Sequence, residues 1–234
     1  MSIFKTKSDE NNEWGPIADL MSGLMIMFLF ISVLYMLNVI NEKNRIEEIA
    51  VTYEKLQTEL YNDLKEAFEG DLLKWNAVID KQTLSFRFQS PEILFRAGSW
   101  EITPQFQNIL NDFFPRYIEI LYGEKYKDNI EEIRIEGHTS SEGQRNSTLE
   151  QAYFFNMELS QNRTRAVLEY VLVRTNMNQS KKNWVKETTT ANGLSSSRLI
   201  FENGIEDKER SRRVEFRVRT NAETQIVRIL NAGR

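Results

Sequence analysis

The chain has no cysteine, so neither a disulfide framework nor a thiolate metal site can be built from it. Its single histidine, His138, excludes histidine-rich metal sites and leaves carboxylates as the groups for moving protons. Prolines are few, four in 234 residues, and none falls between Pro16 and Pro91. No internal repeat or low-complexity segment stands out, and no block is both basic and aromatic enough to form a nucleic-acid surface. There is no phosphate-cradling glycine loop and no nucleophile set beside a base, which argues against a hydrolytic or group-transfer enzyme, and no cofactor is expected. The net charge of −4 is unevenly spread, with residues 41–70 rich in acids and 181–234 rich in bases.

What the sequence does have is one long apolar run. Ile17–Ile40 is broken only by Asp19, Ser22, Gly23, Ser32, Tyr35 and Asn38. Roughly 20 apolar residues span a bilayer, and the run lacks the short core and small-residue cleavage site of a signal peptide. It reads as a retained transmembrane helix over 17–40, following a short N-terminal segment, 1–16. Charge does not orient it, since Lys5 and Lys7 on one side balance Lys43 and Arg45 on the other.

Asp19 is out of place in such a segment, where a carboxylate costs about 2.5–3.5 kcal/mol on insertion scales. Two readings stand on the residues alone. Desolvation raises a carboxyl pKa, so Asp19 could hold a proton and release it to water or a counter-charge. With Pro16 as first helical residue, Asp19 could equally sit at the interface, favoured by the helix dipole. Ser22 and Gly23 share its helical face, and Ala18 and Ser22 form a small-xxx-small pair that permits close approach of another helix.

Residues 41–70 contain no proline and no glycine before Gly70. Ile46, Ile49, Tyr53, Leu56, Leu60, Leu64 and Ala67 recur at three- and four-residue steps, the stripe of a two-stranded coiled coil or of a lone helix lying on a domain surface. From Trp75 the pattern changes. Leu84, Phe86 and Phe88 alternate as a strand, and Thr103 with Pro104 opens a helix. Ile133 and Ile135 mark a second strand ending at Gly137, and a helix runs over about 156–174 with Leu159, Ala166, Val167, Tyr170 and Val171 inward. Val214, Phe216 and Val218 mark a third strand, and residues 221–234 close the chain as a short amphipathic tail helix. The alternation predicts a layered α/β (α+β) domain over 75–220, with helices on one face of a mixed sheet.

Three ordered motifs, "IRIEGHTSSEG", "NMELSQNRTRAVLEYVL" and "SRRVEFRVRT", resemble the OmpA-like peptidoglycan-binding domain. The resemblance implies a groove for the diaminopimelate of the cell-wall stem peptide, with Arg163 gripping a carboxylate and Asn156 and Leu159 at the matching helix positions. The family's ammonium-binding aspartate is replaced by Ser140, the following loop is longer than the family's, and Glu142 is the acid that could substitute. On the residues alone, Arg163 could instead pair with a carboxylate across the fold. His138 is expected to be packed and hydrogen-bonded, without a catalytic or metal-binding role.

The segment "WGPIADLMSGLMIMFLF" resembles the membrane helix of flagellar stator B subunits (MotB) and of their relatives in Zorya phage defence (ZorB), with Trp14, Ala18, Asp19, Met21 and Ser22 in register. This resemblance implies that Asp19 carries the ion, H+ by family habit, past Ser22 and Gly23. It further implies a homodimer inside a ring of MotA/ZorA-like subunits in the bacterial inner membrane, with the N-terminus cytoplasmic and the OmpA-like domain periplasmic on peptidoglycan. The unbroken helix leading into the domain looks more like the defence type than the flagellar type. A passive wall tether is the contrasting reading.

Overall fold

The computed structural model describes residues 14–89, 91–96 and 98–221. The tail helix expected over 221–234 lies, but for Asn221, outside the described residues, as does most of the N-terminal segment 1–16. The chain divides into an N-terminal unit up to Ile49 and a C-terminal unit from Ala50.

Helix α1 spans Trp14–Leu72. Pro16 is its third residue and not its first; in the opening turn a missing N–H costs no hydrogen bond. In the N-terminal unit this is the one helix, among the described residues, long and apolar enough to cross a membrane. Its hydroxyls are satisfied within the helix: Ser22 Oγ donates to Ala18 O (2.8 Å) and Ser32 Oγ to Phe28 O (2.7 Å). Neither therefore needs a partner from hydrocarbon, which offers none.

In the C-terminal unit, the last turns of α1 belong to the domain core. Leu60, Leu64 and Phe68 are fully buried, with Leu56, Tyr61, Ala67 and Leu72 packed beside them. Over this part of residues 41–70 the structure has the second of the two arrangements the stripe allowed, a helix lying on its own domain. The lower half of the apolar stripe faces its own domain and is unavailable as a seam between two chains.

The sheet has the order β1-β2-β7-β3-β4, built from β1 Ala77–Asp80, β2 Ser85–Phe88, β3 Ile130–His138, β4 Thr189–Gly193 and β7 Arg213–Thr220. β7 is antiparallel to both β2 and β3, while β3 and β4 are parallel, so the sheet is mixed as expected. Two short strands, β5 Phe201–Glu202 and β6 Ile205–Glu206, pair apart from it.

Alternation decides the faces. Phe86, Phe88, Ile133, Ile135, Val214 and Phe216 are buried in one aromatic-rich core with Phe106, Phe113 and Tyr117 of α3 (Pro104–Leu121). The rings of Phe86 and Phe113 lie 4.5 Å apart and those of Phe113 and Phe216 5.1 Å apart. α3 opens as expected, Thr103 accepting from the N–H of Phe106 and Pro104 following it.

A short helix, α2, spans Pro91–Leu94. The long helix α4 spans Leu149–Arg174, starting seven residues before the predicted Asn156. A capping box sets its start: Thr148 accepts from Gln151 N, and the Gln151 side chain accepts from Thr148 N. Helix α5, Gln179–Thr188, completes the crossover to β4, and α6, Lys208–Ser211, precedes β7.

Candidate functional site

The site forms where β3 ends against α4. A Cβ on Gly137 would lie 2.7 Å from Thr164 Cγ2 and 2.9 Å from Ser160 O, so only glycine lets helix and strand approach this closely. The face of α4 turned toward that strand end is polar, with Asn156, Ser160, Arg163 and Thr164 all buried at helical spacing.

Arg163 is the centre of the site. Its Nε donates to Ser99 O (2.9 Å), and its guanidinium lies 4.8 Å from the Phe95 ring centre. It lines a narrow cleft with Phe95, Gly137, His138, Arg212 and Arg213. Burial, followed by the nearby charge of Arg212, pushes its pKa down to about 10. Among the described residues no carboxylate pairs with it. An ion pair of Arg163 across the fold is therefore not formed among the described residues. A desolvated guanidinium with no carboxylate partner among the described residues can receive an anion.

The other predicted positions divide by role. Asn156 donates both Nδ2 hydrogens to its own loop, to Ser140 O (3.2 Å) and Glu142 O (2.8 Å), so it shapes the site through the backbone. Leu159 is half-buried on the neighbouring face of α4 and does not line the cleft. Ser140 is buried, its Oγ 3.4 Å from Glu142 Oε2. Glu142 is itself held by Lys208 (2.8 Å) and Arg212 (3.1 Å), and the Lys208 hydrogen bond keeps its carboxyl below the ordinary range. Sequence reasoning did not single out Ser99, Lys208 or Arg212. The paired arginines of "SRRVEF" were a visible signal for Arg212; Ser99 contributes only a carbonyl, which no side-chain pattern encodes.

His138 and Arg213, which line the cleft, also belong to an ionic cluster on β3 and β7. Glu136, His138 and Glu215 place a ligand-type atom each within 4.8 Å of one another. Their carboxylates are already taken by guanidiniums: Arg213 Nε is 2.6 Å and Arg87 Nε 2.8 Å from Glu215 Oε1, and Arg134 Nε is 3.4 Å from Glu136 Oε1. A divalent cation inserted there would meet three like charges, so the cluster fits an internal ion network. Burial would raise the Glu215 pKa, but Arg213 and Arg87 hold it down to about 2. His138 is packed as expected, yet neither ring nitrogen makes a hydrogen bond; Glu136 Oε2 is 3.7 Å and Glu215 Oε1 3.9 Å away. Burial lowers its pKa, favouring the neutral ring.

The second candidate position lies in the N-terminal unit. Asp19 is on the exposed surface of α1, five residues beyond Trp14 and about 7–8 Å along the axis at 1.5 Å per residue. Ser22 has committed its hydrogen to Ala18 O, and nothing stands within 4 Å of where a Gly23 Cβ would be. Beside the acid the helix surface is therefore low and open.

Comparison with known proteins agrees with this architecture. The OmpA family model matches residues 94–213, just over half of the chain. A solved structure of a putative MotB-like protein from Desulfovibrio vulgaris shares the fold, with a TM-score of 0.50 and 23% identity over 71% of this chain and 96% of its own. A Zorya protein ZorB from Escherichia coli serotype O139:H28 is 27% identical over 92% of this chain and 84% of its own. The Zorya protein ZorB of the Escherichia coli Crooks strain is 50% identical over 96% of this chain and 95% of its own length. An identity of that size over nearly the whole of both chains shows that this chain belongs to the ZorB family, with an OmpA family domain at its C-terminal side.

Proposed function

We propose that this chain is the B subunit of an ion-driven inner-membrane motor of the MotA/MotB type, anchored to peptidoglycan and acting in anti-phage defence. The observation that carries the reading is an aspartate inside the membrane-length helix of a ZorB family member. In this reading Asp19 alternates between protonated and ionised forms as protons pass between α1 and a ring of ZorA-like subunits. Each charge crossing the membrane provides roughly 2.3 kcal/mol per 100 mV for conformational work. The subunit works as a homodimer, spans the membrane once, and has its N-terminus in the cytoplasm and its OmpA domain in the periplasm. It carries no catalytic centre of its own.

The wall is held through the Arg163 cleft. Support comes from the buried guanidinium without a carboxylate partner among the described residues, the arrangement an anionic end group of the stem peptide would complete.

The test is phage plating on cells carrying the gene with its native neighbours, comparing wild type with Asp19→Asn at equal membrane abundance. Protection by wild type and none by Asp19→Asn supports the motor. Equal protection makes Asp19 an interface residue and the chain a passive tether. A wild type that fails against a broad phage panel but restores swimming to a stator-deleted strain overturns the defence role in favour of a flagellar one.

A further inference from the structure

Trp100 stands apart from the other tryptophans of the C-terminal unit. Trp75 and Trp184 are buried, whereas Trp100 is 52% exposed. A large ring left in water forgoes the burial it could contribute, so an exposed tryptophan held in place marks a contact surface. Trp100 is held in place. Its turn is closed by the Phe95–Ile102 bridge, by Arg96 N donating to Glu101 O (3.3 Å) and by Ser99 N donating to Arg96 O (3.0 Å). Glu101 N donates to Ser99 Oγ (3.0 Å), and Gly98 takes the left-handed corner at φ +65°. The turn is tied to the candidate site at the preceding residue, because Ser99 O accepts from Arg163 Nε. Consecutive Cα atoms are about 3.8 Å apart, so the indole leaves the chain beside the cleft without being part of its lining.

The surroundings of the ring select its ligand. Arg96 and Glu101 form an exposed ion pair (2.9 Å) on the same turn, and Trp100 is the one exposed large hydrophobic among the turn's described residues. An apolar platform one ring wide is too small for a stable protein interface, which buries about 1,200–2,000 Å². It matches a flat ring with C–H groups on one face and hydroxyls at its edge, for which the neighbouring charged groups supply donors and acceptors. We propose that Trp100 is a stacking platform for a pyranose ring of the wall's glycan strand, a second contact beside the Arg163 cleft. The proposal rests on the wall-anchoring reading and adds a sugar to what that reading takes as a peptide contact. Two weak contacts on one polymer reinforce each other, since holding one raises the effective concentration of the other.

The test titrates glycan strands, freed of stem peptides by an amidase, into the full chain in detergent, followed by calorimetry and tryptophan fluorescence. Wild type is expected to bind, with its emission moving to shorter wavelength as the exposed indole is covered. Trp100→Ala is expected to bind about fivefold or more weakly, the lower end of the loss when a stacking ring is removed, and to show no emission shift. Trp100→Tyr keeps a flat ring and is expected to fall between the two. No binding of the peptide-free strands by wild type, equal binding by Trp100→Ala, or an emission that saturating strands leave unmoved overturns the proposal. So does a Trp100→Ala chain that binds strands as wild type does yet loses phage protection, which would put a protein on the ring instead. Failure of the wall-anchoring reading shows elsewhere, as equal retention of wild type and Arg163→Ala on intact sacculi. The strand titration contains no stem peptide and is read independently of that result.

Discussion

Phe68→Ala tests whether the end of α1 is part of the domain or a free stalk. Phe68 is fully buried, with Phe86, Phe113 and Trp75 at ring distances of 5.3, 5.4 and 6.0 Å. Arg116 lies over its ring at 4.5 Å and is tied to Asp71 (3.0 Å) and Asp112 (3.2 Å). Truncating a buried phenylalanine costs about 3–5 kcal/mol through lost burial and the cavity left behind. The cation–π contact contributes about 0.5–1 kcal/mol more. Domains are stable by about 5–15 kcal/mol, so the variant is expected to lose a large share of its stability. Urea unfolding of the full chain in detergent measures this, followed by fluorescence of Trp75 and Trp184, both 8% exposed. Val51→Ala is the control on the same helix; Val51 is 66% exposed and its truncation should stay within about 0.5 kcal/mol. A loss of less than ~1 kcal/mol for Phe68→Ala would refute the placement and leave Leu60 and Leu64 for a helix seam between chains.

Three further outcomes are expected. Arg163→Ala should weaken retention on sacculi by about tenfold or more, and Arg163→Lys should not restore it, because an ammonium cannot keep the Ser99 bond and also present a planar fork. The folded pKa of Glu215, about 2, lies below its ordinary value of 4.5, so its contribution to stability is present above pH 4.5 and is lost as pH falls toward 2. Glu215→Gln should flatten acid unfolding curves over that window while lowering stability at neutral pH. Gly193→Ala would put a Cβ 2.3 Å from Gln161 N, and the overpacking should cost about 1–3 kcal/mol, read as a lower Tm.

The parts of the fold written in apolar periodicity were legible in the sequence. Phe86, Val214 and Ile133 announce strands because one face of each is buried, and Thr103-Pro104 announces a helix start through cap chemistry. β4 was not legible. "TTANG" has no apolar alternation, and it is a strand because β3 pairs with it and α4 leans on Gly193. The stripe on α1 left two partners open for a related reason. Spacing shows that Leu60 and Leu64 need a partner but not which surface supplies it, and here the domain does. Arg163 was found through its motif, whereas Ser99, Lys208 and Arg212 reach the cleft by chain folding from distant segments.

The ion network on the sheet's outer face also constrains how the family can vary. Glu136 stands opposite Glu215 and His138 opposite Arg213 in the β3–β7 register, and Arg87 reaches the same Glu215 from β2. A lineage that replaced Glu215 alone would leave buried Arg213 and half-buried Arg87 facing each other without their shared acid, and one that replaced Arg213 alone would leave the buried carboxylate with Arg87 as its one guanidinium partner among the described residues. Substitutions at these positions should therefore enter together or be preceded by a neutral intermediate such as glutamine. Descendants of one ancestral ZorB would then fall into a few discrete charge patterns on this face, with little drift between them.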